Sequence, residues 1–271
     1  MDLTHHQTAA GGRWALDGCW LPTGVTLAGL LAAPAAELLA TLTSLRTEET
    51  ATGPLLPPIE AMQEVWASGV TYLRSRDARK AESQVADVYE RVYTAERPEL
   101  FFKAAGWRVV GPGRPIRVRR DSTWNVPEPE LTLVANRRGE IVGYTAGNDV
   151  SSRDIEGANP LYLPQAKVYN AACALGPSIR LASAAEQTDL PIRLEVWRGG
   201  VAQFTGETRT SQIRRGLDEL VGFLQRELDF PQGVFLMTGT GIVPPDDTSL
   251  QAGDTVRLAV GELWLENPVE G

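Results

Sequence analysis

Two glutamates one residue apart, in Pro127-Glu128-Pro129-Glu130, lead straight into the apolar run LTLVAN (131–136). Residues i and i+2 of an extended strand share a face, roughly 6.6 Å apart along the chain. Two carboxylates aimed at one spot repel unless a cation lies between them, and an all-oxygen donor set suits Mg²⁺, Mn²⁺ or Ca²⁺ rather than zinc. The same pair also fits a solvated, Pro-rich strand start. Asp149, in Gly147-Asn148-Asp149-Val150-Ser151-Ser152-Arg153-Asp154, is a third candidate. If 130–135 and 140–145 pair across the turn-like NRRG (136–139), the end of the second strand returns to the start of the first. Glu128, Glu130 and Asp149 then converge at one end of a sheet. Asp149 alone equally fits a turn residue bonding its own backbone, and Asp154 a turn or a simple ion pair with Arg153.

Other groups could complete such a site. Lys167, in Leu163-Pro164-Gln165-Ala166-Lys167-Val168-Tyr169, could stabilise an enolate or move a proton beside a bound cation and anion; an exposed strand lysine is the plainer reading. Lys103, in Phe101-Phe102-Lys103, is a similar case. Thr238-Gly239-Thr240-Gly241 offers hydroxyls and close-approach N–H groups able to hold a carboxylate, or is a turn. GxGxxG, GxxxxGK[ST] and GxSxG are all absent, which leaves dinucleotide, P-loop and elbow-serine readings without support. The two histidines are adjacent, His5 and His6, at an end expected to be mobile, so histidine-based triads and zinc sites are excluded. Cys19 and Cys173 lie far apart with no CxxC. A net charge of −8 argues against nucleic acid as a partner.

The 271 residues are long enough for one large core or two unequal units. Residues 1–58 read as a small N-terminal α/β domain and linker, with strand-like pieces at Trp14–Trp20, Ala/Leu helices, and the polar, Pro-rich 46–58. Residues 59–271 read as the larger domain. Helical patterning is expected over 61–91, including the charged run RSRDARKAES (74–83). Beyond Phe101 the signals turn to strand: IRVRR (116–120), the 130–135/140–145 hairpin, a second hairpin of 192–197 and 201–206 around Arg198-Gly199-Gly200, then 234–239 and 255–260. Leu217, Leu220, Val221, Leu224 and Leu228 mark one amphipathic helix. The expected class is α+β, mostly β, with antiparallel neighbours. The apolar stretch 25–45 is broken by Gly29, Pro34 and Glu37, so no membrane-spanning helix is expected, and MDLTHHQTAAGGR lacks a secretory layout; the cytoplasm is the expected location.

Four ordered motifs, PEPELTLVAN, GYTAGNDVSSRDIEG, NPLYLPQAKVYNAACALGP and TGTGIVPPDD…L..GDTVRL, resemble the fumarylacetoacetate hydrolase family over roughly residues 60–271. The block from GVTYLRSRDARKAES to LYLPQAKVY is similar to its 2-keto-3-deoxy-arabonate dehydratase-like branch. The resemblance implies a mixed β-roll catalytic domain forming a homodimer or dimer-based oligomer, with Glu128, Glu130 and Asp149 as Mg²⁺ ligands and Lys167 as the active-site lysine. It implies a small-molecule 2-oxo acid substrate, chelated through carboxylate and keto oxygens, whose enolate the metal stabilises as a Lewis acid. Lys103, Arg153, Gln165 and Thr240 are then expected to bind substrate, and Glu82 to act as acid or base. Acylpyruvate-type hydrolases of the family use a histidine on a lid, and this chain has none beyond residue 6. Elimination is therefore expected: dehydration of a 2-keto-3-deoxy sugar acid, a pentonate such as 2-keto-3-deoxy-arabonate, to a semialdehyde in sugar acid catabolism. The alternatives are a C–C hydrolase or decarboxylase of a 2-oxo diacid, and a non-catalytic metal and keto-acid binding paralogue. The chain departs from the family pattern at Ala104–Arg108, where relatives often read ATPHR, at Asn170 and at Ala81. Removing Glu128 or Asp149 is expected to abolish metal-dependent activity with the fold intact.

Overall fold

The chain begins in a strand, not a loose end. In the computed structural model, which describes all residues except 83–85 and side chains except those of 81–87, β1 (Asp2–Thr8), β2 (Gly11–Leu16) and β3 (Cys19–Trp20) form an antiparallel ribbon. His5 stacks on Trp14 with ring centroids 4.4 Å apart. The expectation of a mobile N-terminus is thus corrected, because β1 is hydrogen-bonded on both edges. The Ala/Leu stretch folds as α1 (Leu27–Leu30) and α2 (Ala35–Leu45), parted at Pro34. No helix of the described residues is long and apolar enough to cross a membrane.

The expected helix over 61–91 is only partly present. Residues Glu64–Gly69 form strand β4, and helix starts at α3 (Leu73–Glu82), followed by α4 (Ala86–Thr94). Val65 and Ala67 alternate into the core between two partner strands, and that long-range pairing overrides the local pattern. Next come β5 (Glu99–Ala105), β6 (Ile116–Arg117), β7 (Asn125–Val126), β8 (Pro129–Ala135), β9 (Ile141–Asp149) and β10 (Ser151–Ser152). Two short helices, α5 (Arg153–Ala158) and α6 (Leu163–Lys167), precede β11 (Cys173–Leu181), β12 (Pro191–Arg198) and β13 (Val201–Arg209). The chain closes with α7 (Leu217–Leu224), β14 (Val234–Met237), β15 (Thr255–Val260) and β16 (Leu263–Glu270). The apolar stripe of α7 stops one turn short of Leu228, which is exposed, as the chain leaves the helix to bury Phe230 ahead of Pro231.

Nine strands form one sheet in the order β3-β2-β1-β11-β9-β8-β14-β4-β5, and five form a second, β13-β12-β15-β16-β6. Pairing is mostly antiparallel as expected, but β14 with β4 and β16 with β6 run parallel. The large sheet has apolar packing on both faces. Leu131, Leu133 and Tyr144 meet the second sheet and α7 through Leu194, Leu258 and Leu220. Val134, Val142 and Phe235 meet α1, α2 and the N-terminal ribbon through Leu30, Leu42 and Trp14. That is why β8 and β9 are buried at every position, whereas β16 alternates buried and exposed along its whole length. The α+β, mostly-β expectation is borne out.

Candidate active site

The two central strands of the large sheet present the carboxylates. β8 and β9 pair with Pro129 opposite Asn148 and Glu130 opposite Gly147, and the Asp149 N–H donates to the Glu128 carbonyl at 2.9 Å. Pro129 removes a donor at the strand's first residue, where the ladder tolerates it. The Asn148 side chain takes up the slack by accepting from the Glu128 N–H at 3.1 Å. One carboxylate oxygen from each of Glu128, Glu130 and Asp149 lies within 4.8 Å of the others, and all three residues are buried. The hairpin convergence expected from the alternation and the NRRG turn is what the strands adopt.

Four buried cations surround the triad. Lys167, at the last turn of α6, donates to Glu128 and, at 2.9 Å, to Asp149 Oδ2. Its ammonium also lies 5.6 Å from the centre of the Phe101 ring. Lys103 on β5 sits 2.5 Å from Asp149 Oδ1 and donates to the carbonyls of Val150 and Lys167 at 3.0 and 2.6 Å, tying three segments together. Arg153 opens α5 and donates to Glu128 Oε1 at 2.7 Å. Arg79 on α3 reaches the same oxygen at 2.6 Å and sets its Nε 3.0 Å from Glu156 Oε1.

Glu130 is different. Among the described residues it has no ion-pair partner; its Oε2 accepts only from the Gly239 N–H, at 2.6 Å. Gly239 holds φ near +90°, and a Cβ there would stand 2.2 Å from Thr71 Oγ1, so only glycine brings its N–H to this carboxylate. Burial, and then the Asp149 and Glu128 charges, pushes the Glu130 carboxyl well above the usual carboxylate range. Burial alone would lower the Lys167 ammonium, but Asp149, Glu128 and Glu156 outweigh it and hold it protonated. An unpaired, buried carboxylate crowded by two others in an all-oxygen set fits a hard divalent cation. Glu128, Glu130 and Asp149 are the residues that would hold it.

The cavity above the triad is lined by Lys167, Arg79, Thr240, Glu99, Glu156 and Ser75, among others. Thr240, expected to bind substrate, lines this cavity, its hydroxyl donating to the Ile242 carbonyl at 3.3 Å. Lys103 and Arg153 lie behind the wall, and the Gln165 side chain is exposed, its carbonyl accepting from Arg119 at 2.9 Å. The Glu82 side chain lies outside the described residues. None of residues 104–108 lines the cavity, and Trp107 is exposed at the far end of β5.

Three charged lining residues escaped the sequence reading. Glu99 starts β5, and burial followed by the Glu156 charge raises its carboxyl to about 7. Its carboxylate packs over Gly69, where a Cβ would come within 2.1 Å of Oε2. The signal was present: Glu99, Phe101 and Lys103 alternate onto one face, so attention to Lys103 reaches Glu99 by the same period of two. Arg79 was hidden in a charge run that reads as solvated helix, and Glu156 in the polar SRDIEG. Beside Glu99, Val70 adopts φ of +53°, a backbone that a β-branched residue rarely takes; strain of this kind gathers at functional sites.

Residues 64–270 match the family model described as fumarylacetoacetate (FAA) hydrolase C-terminal, and the chain belongs to that family. Within it, a Haloferax volcanii protein named probable 2-keto-3-deoxyxylonate dehydratase is 49% identical over 214 residues, 78% of this chain and 73% of the relative. The 2-dehydro-3-deoxy-D-arabinonate dehydratase of Saccharolobus solfataricus is 43% identical over 226 residues, 81% of this chain and 74% of the relative. A solved structure of 2-keto-3-deoxy-D-arabinonate dehydratase complexed with magnesium and 2,5-dioxopentanoate superposes with a TM-score of 0.85 at 33% identity, covering 100% of this chain and 99% of that one.

Proposed function

We propose that this protein is a metal-dependent hydro-lyase that removes water from a 2-keto-3-deoxy pentonate and leaves a 2-oxo acid semialdehyde. The observation that carries the reading is a buried carboxylate triad, whose Glu130 has no ion-pair partner among the described residues, facing Lys167 and Glu99 around one cavity. Likeness to dehydratases of this substrate class supports it. A divalent cation held by Glu128, Glu130 and Asp149 supplies Lewis acidity toward the carboxylate and keto oxygens of the substrate. Lys167 stabilises the negative charge that develops on the keto oxygen as the C3 proton leaves. Glu99, poised near neutrality, exchanges protons with C3 or with the departing C4 hydroxyl, a matching of pKa to task that general acid–base catalysis favours. The balance is one proton lost from C3 and one hydroxyl from C4, together one water; the C3=C4 enone so formed becomes the semialdehyde when a proton moves from C5 to C3 and the C5 enol that is left tautomerises to the aldehyde.

Lys103 positions Asp149 and the Lys167 carbonyl, Arg153 positions Glu128, and Thr240 faces the substrate. Gln165 and Glu82 remain candidates for contact once substrate is bound. We also take the protein to be a cytoplasmic homodimer in which residues 1–58 form an N-terminal unit whose β1 extends the catalytic sheet. The test is turnover of racemic 2-keto-3-deoxy-pentonates with Mg²⁺ and with EDTA, followed by mass. A metal-dependent product lighter by one water with all its carbons is expected. Carbon dioxide or a shortened acid from 2-oxo diacids, with no dehydration, would refute the assignment.

A further inference from the structure

Glu128 is the triad carboxylate that carries the most cations, three against the two, Lys103 and Lys167, on Asp149. Lys167 holds Oε2, while Arg153 and Arg79 share Oε1 at 2.7 and 2.6 Å. A divalent cation arriving at Glu128 meets three positive charges already there and is repelled unless one withdraws, and breaking a buried pair leaves a charge uncompensated unless that charge has somewhere else to go. The three cations differ in this respect. Arg153 also reaches Glu156, at 3.5 Å, but it is 1% exposed and is not among the residues that line the cavity, so it cannot swing toward a substrate. Lys167 has Asp149 as its second partner, but Asp149 belongs to the same triad. Arg79 lines the cavity, and its second carboxylate, Glu156, is not part of the triad. It can leave Glu128 and remain paired.

We propose that Arg79 is an exchangeable internal counter-ion. It occupies Glu128 in the metal-free protein, gives way when a divalent cation enters the triad, and pivots on Glu156 so that its freed Nη2 faces the cavity and an anionic oxygen of the substrate. The inference rests on the reading of the triad as a cation site. Arg79 thereby couples the two binding events with opposite signs. It opposes the cation in the empty protein and favours the substrate once the cation is in place. The guanidinium holds its two carboxylates through separate nitrogens, Nη2 on Glu128 and Nε on Glu156, so one contact can break while the other stays; an ammonium has one nitrogen for both.

The sign separates this role from a structural brace. Direct binding of Mn²⁺ alone, by calorimetry and by the loss of free Mn²⁺ signal in electron paramagnetic resonance, is measured on the unsubstituted protein, on Arg79→Gln and on Arg79→Lys. Losing one charge-assisted contact to Glu128 tightens Mn²⁺ binding by roughly tenfold in Arg79→Gln, while KM for the keto acid rises. Arg79→Lys keeps the charge but loses the fork, so its Mn²⁺ affinity falls between the two. Equal or weaker Mn²⁺ binding in a folded Arg79→Gln overturns the exchange. An Arg79→Lys affinity equal to that of the unsubstituted protein does so too, because only the field of the charge would then be at work. Failure of the unsubstituted protein to bind Mn²⁺ overturns the metal-site reading itself, and the inference with it.

Discussion

Replacing Glu130 with Gln asks whether the triad was built for a cation or is a structural network. In the metal-free protein the Glu130 carboxylate is buried, unpaired among the described residues, and within 4.8 Å of the other two. Two carboxylates at 4.8 Å repel by roughly 3.5 kcal/mol at an effective dielectric of about 20. Lys167 offsets part of this, and Gln keeps both the volume and the acceptor for the Gly239 N–H. We therefore expect metal-free Glu130→Gln to be more stable than the unsubstituted protein by about 1–2 kcal/mol, or about 2–8 °C in melting temperature. The pH dependence has a definite sign. Burial and its neighbours hold the native Glu130 carboxyl above its unfolded value, so its contribution is full below the unfolded pKa and is lost as pH rises through the native one. The advantage of Gln therefore widens toward alkaline pH. Saturating Mg²⁺ reverses the order, because a cation at about 100 times its dissociation constant stabilises only the protein that binds it, by about 2.7 kcal/mol. The assay is urea or thermal unfolding in EDTA and in Mg²⁺ across pH 6–9. A variant less stable than the unsubstituted protein in EDTA at every pH would show that Glu130 is a structural partner, and the reasoning would fail.

Glu128→Gln should behave in the opposite way. It removes the carboxylate that Arg79, Arg153 and Lys167 share and leaves three cations on Glu156 and Asp149, and breaking buried pairs of this kind costs about 3–5 kcal/mol; an unchanged urea midpoint in EDTA would mean that these remaining partners suffice. This revises the expectation that Glu128 can be removed with the fold intact. Glu99→Gln tests the acid–base assignment. Its carboxyl is raised from 4.5 to about 7 by burial and then Glu156, so metal-free stability should decline as pH rises across that interval and flatten in the variant. Turnover should fall by 10²-fold or more, in line with loss of a general acid–base group; wild-type turnover in the variant would remove Glu99 from the mechanism.

What the sequence disclosed follows the range of the interactions involved. The β8–β9 hairpin was legible because its turn and its alternation are local, and Asp149 followed from the hairpin. Lys167 was reached through motif order, since the path from Asp149 through α5 and α6 carries no period that would place it. β4 was misread because its strand character comes from pairing with β14 and β5, both distant in sequence. Arg79 and Glu156 looked solvated for the same reason: each is buried only because α3 and α5 close over the end of the hairpin. The N-terminal strand looked free because the Ile179 and Arg180 positions of β11 that pair with Leu3 and Asp2 lie more than half the chain away.

The charges around the cavity argue for one kind of substrate over another. Among the described residues, Glu99, Glu128, Glu130, Asp149 and Glu156 face Arg79, Lys103, Arg153 and Lys167, so this set, fully ionised, is negative by one. A divalent cation turns that into a single positive charge, and a monoanionic 2-oxo acid brings it to neutrality. Net charge in a low-dielectric site is disfavoured, so this count is a selection rule. A 2-oxo diacid would balance only with a proton kept on Glu99. That would occupy the cavity-wall carboxyl poised near pH 7 and withdraw it as a base just when the C3 proton must leave. A sugar acid, with one carboxylate and neutral hydroxyls, leaves Glu99 free to act.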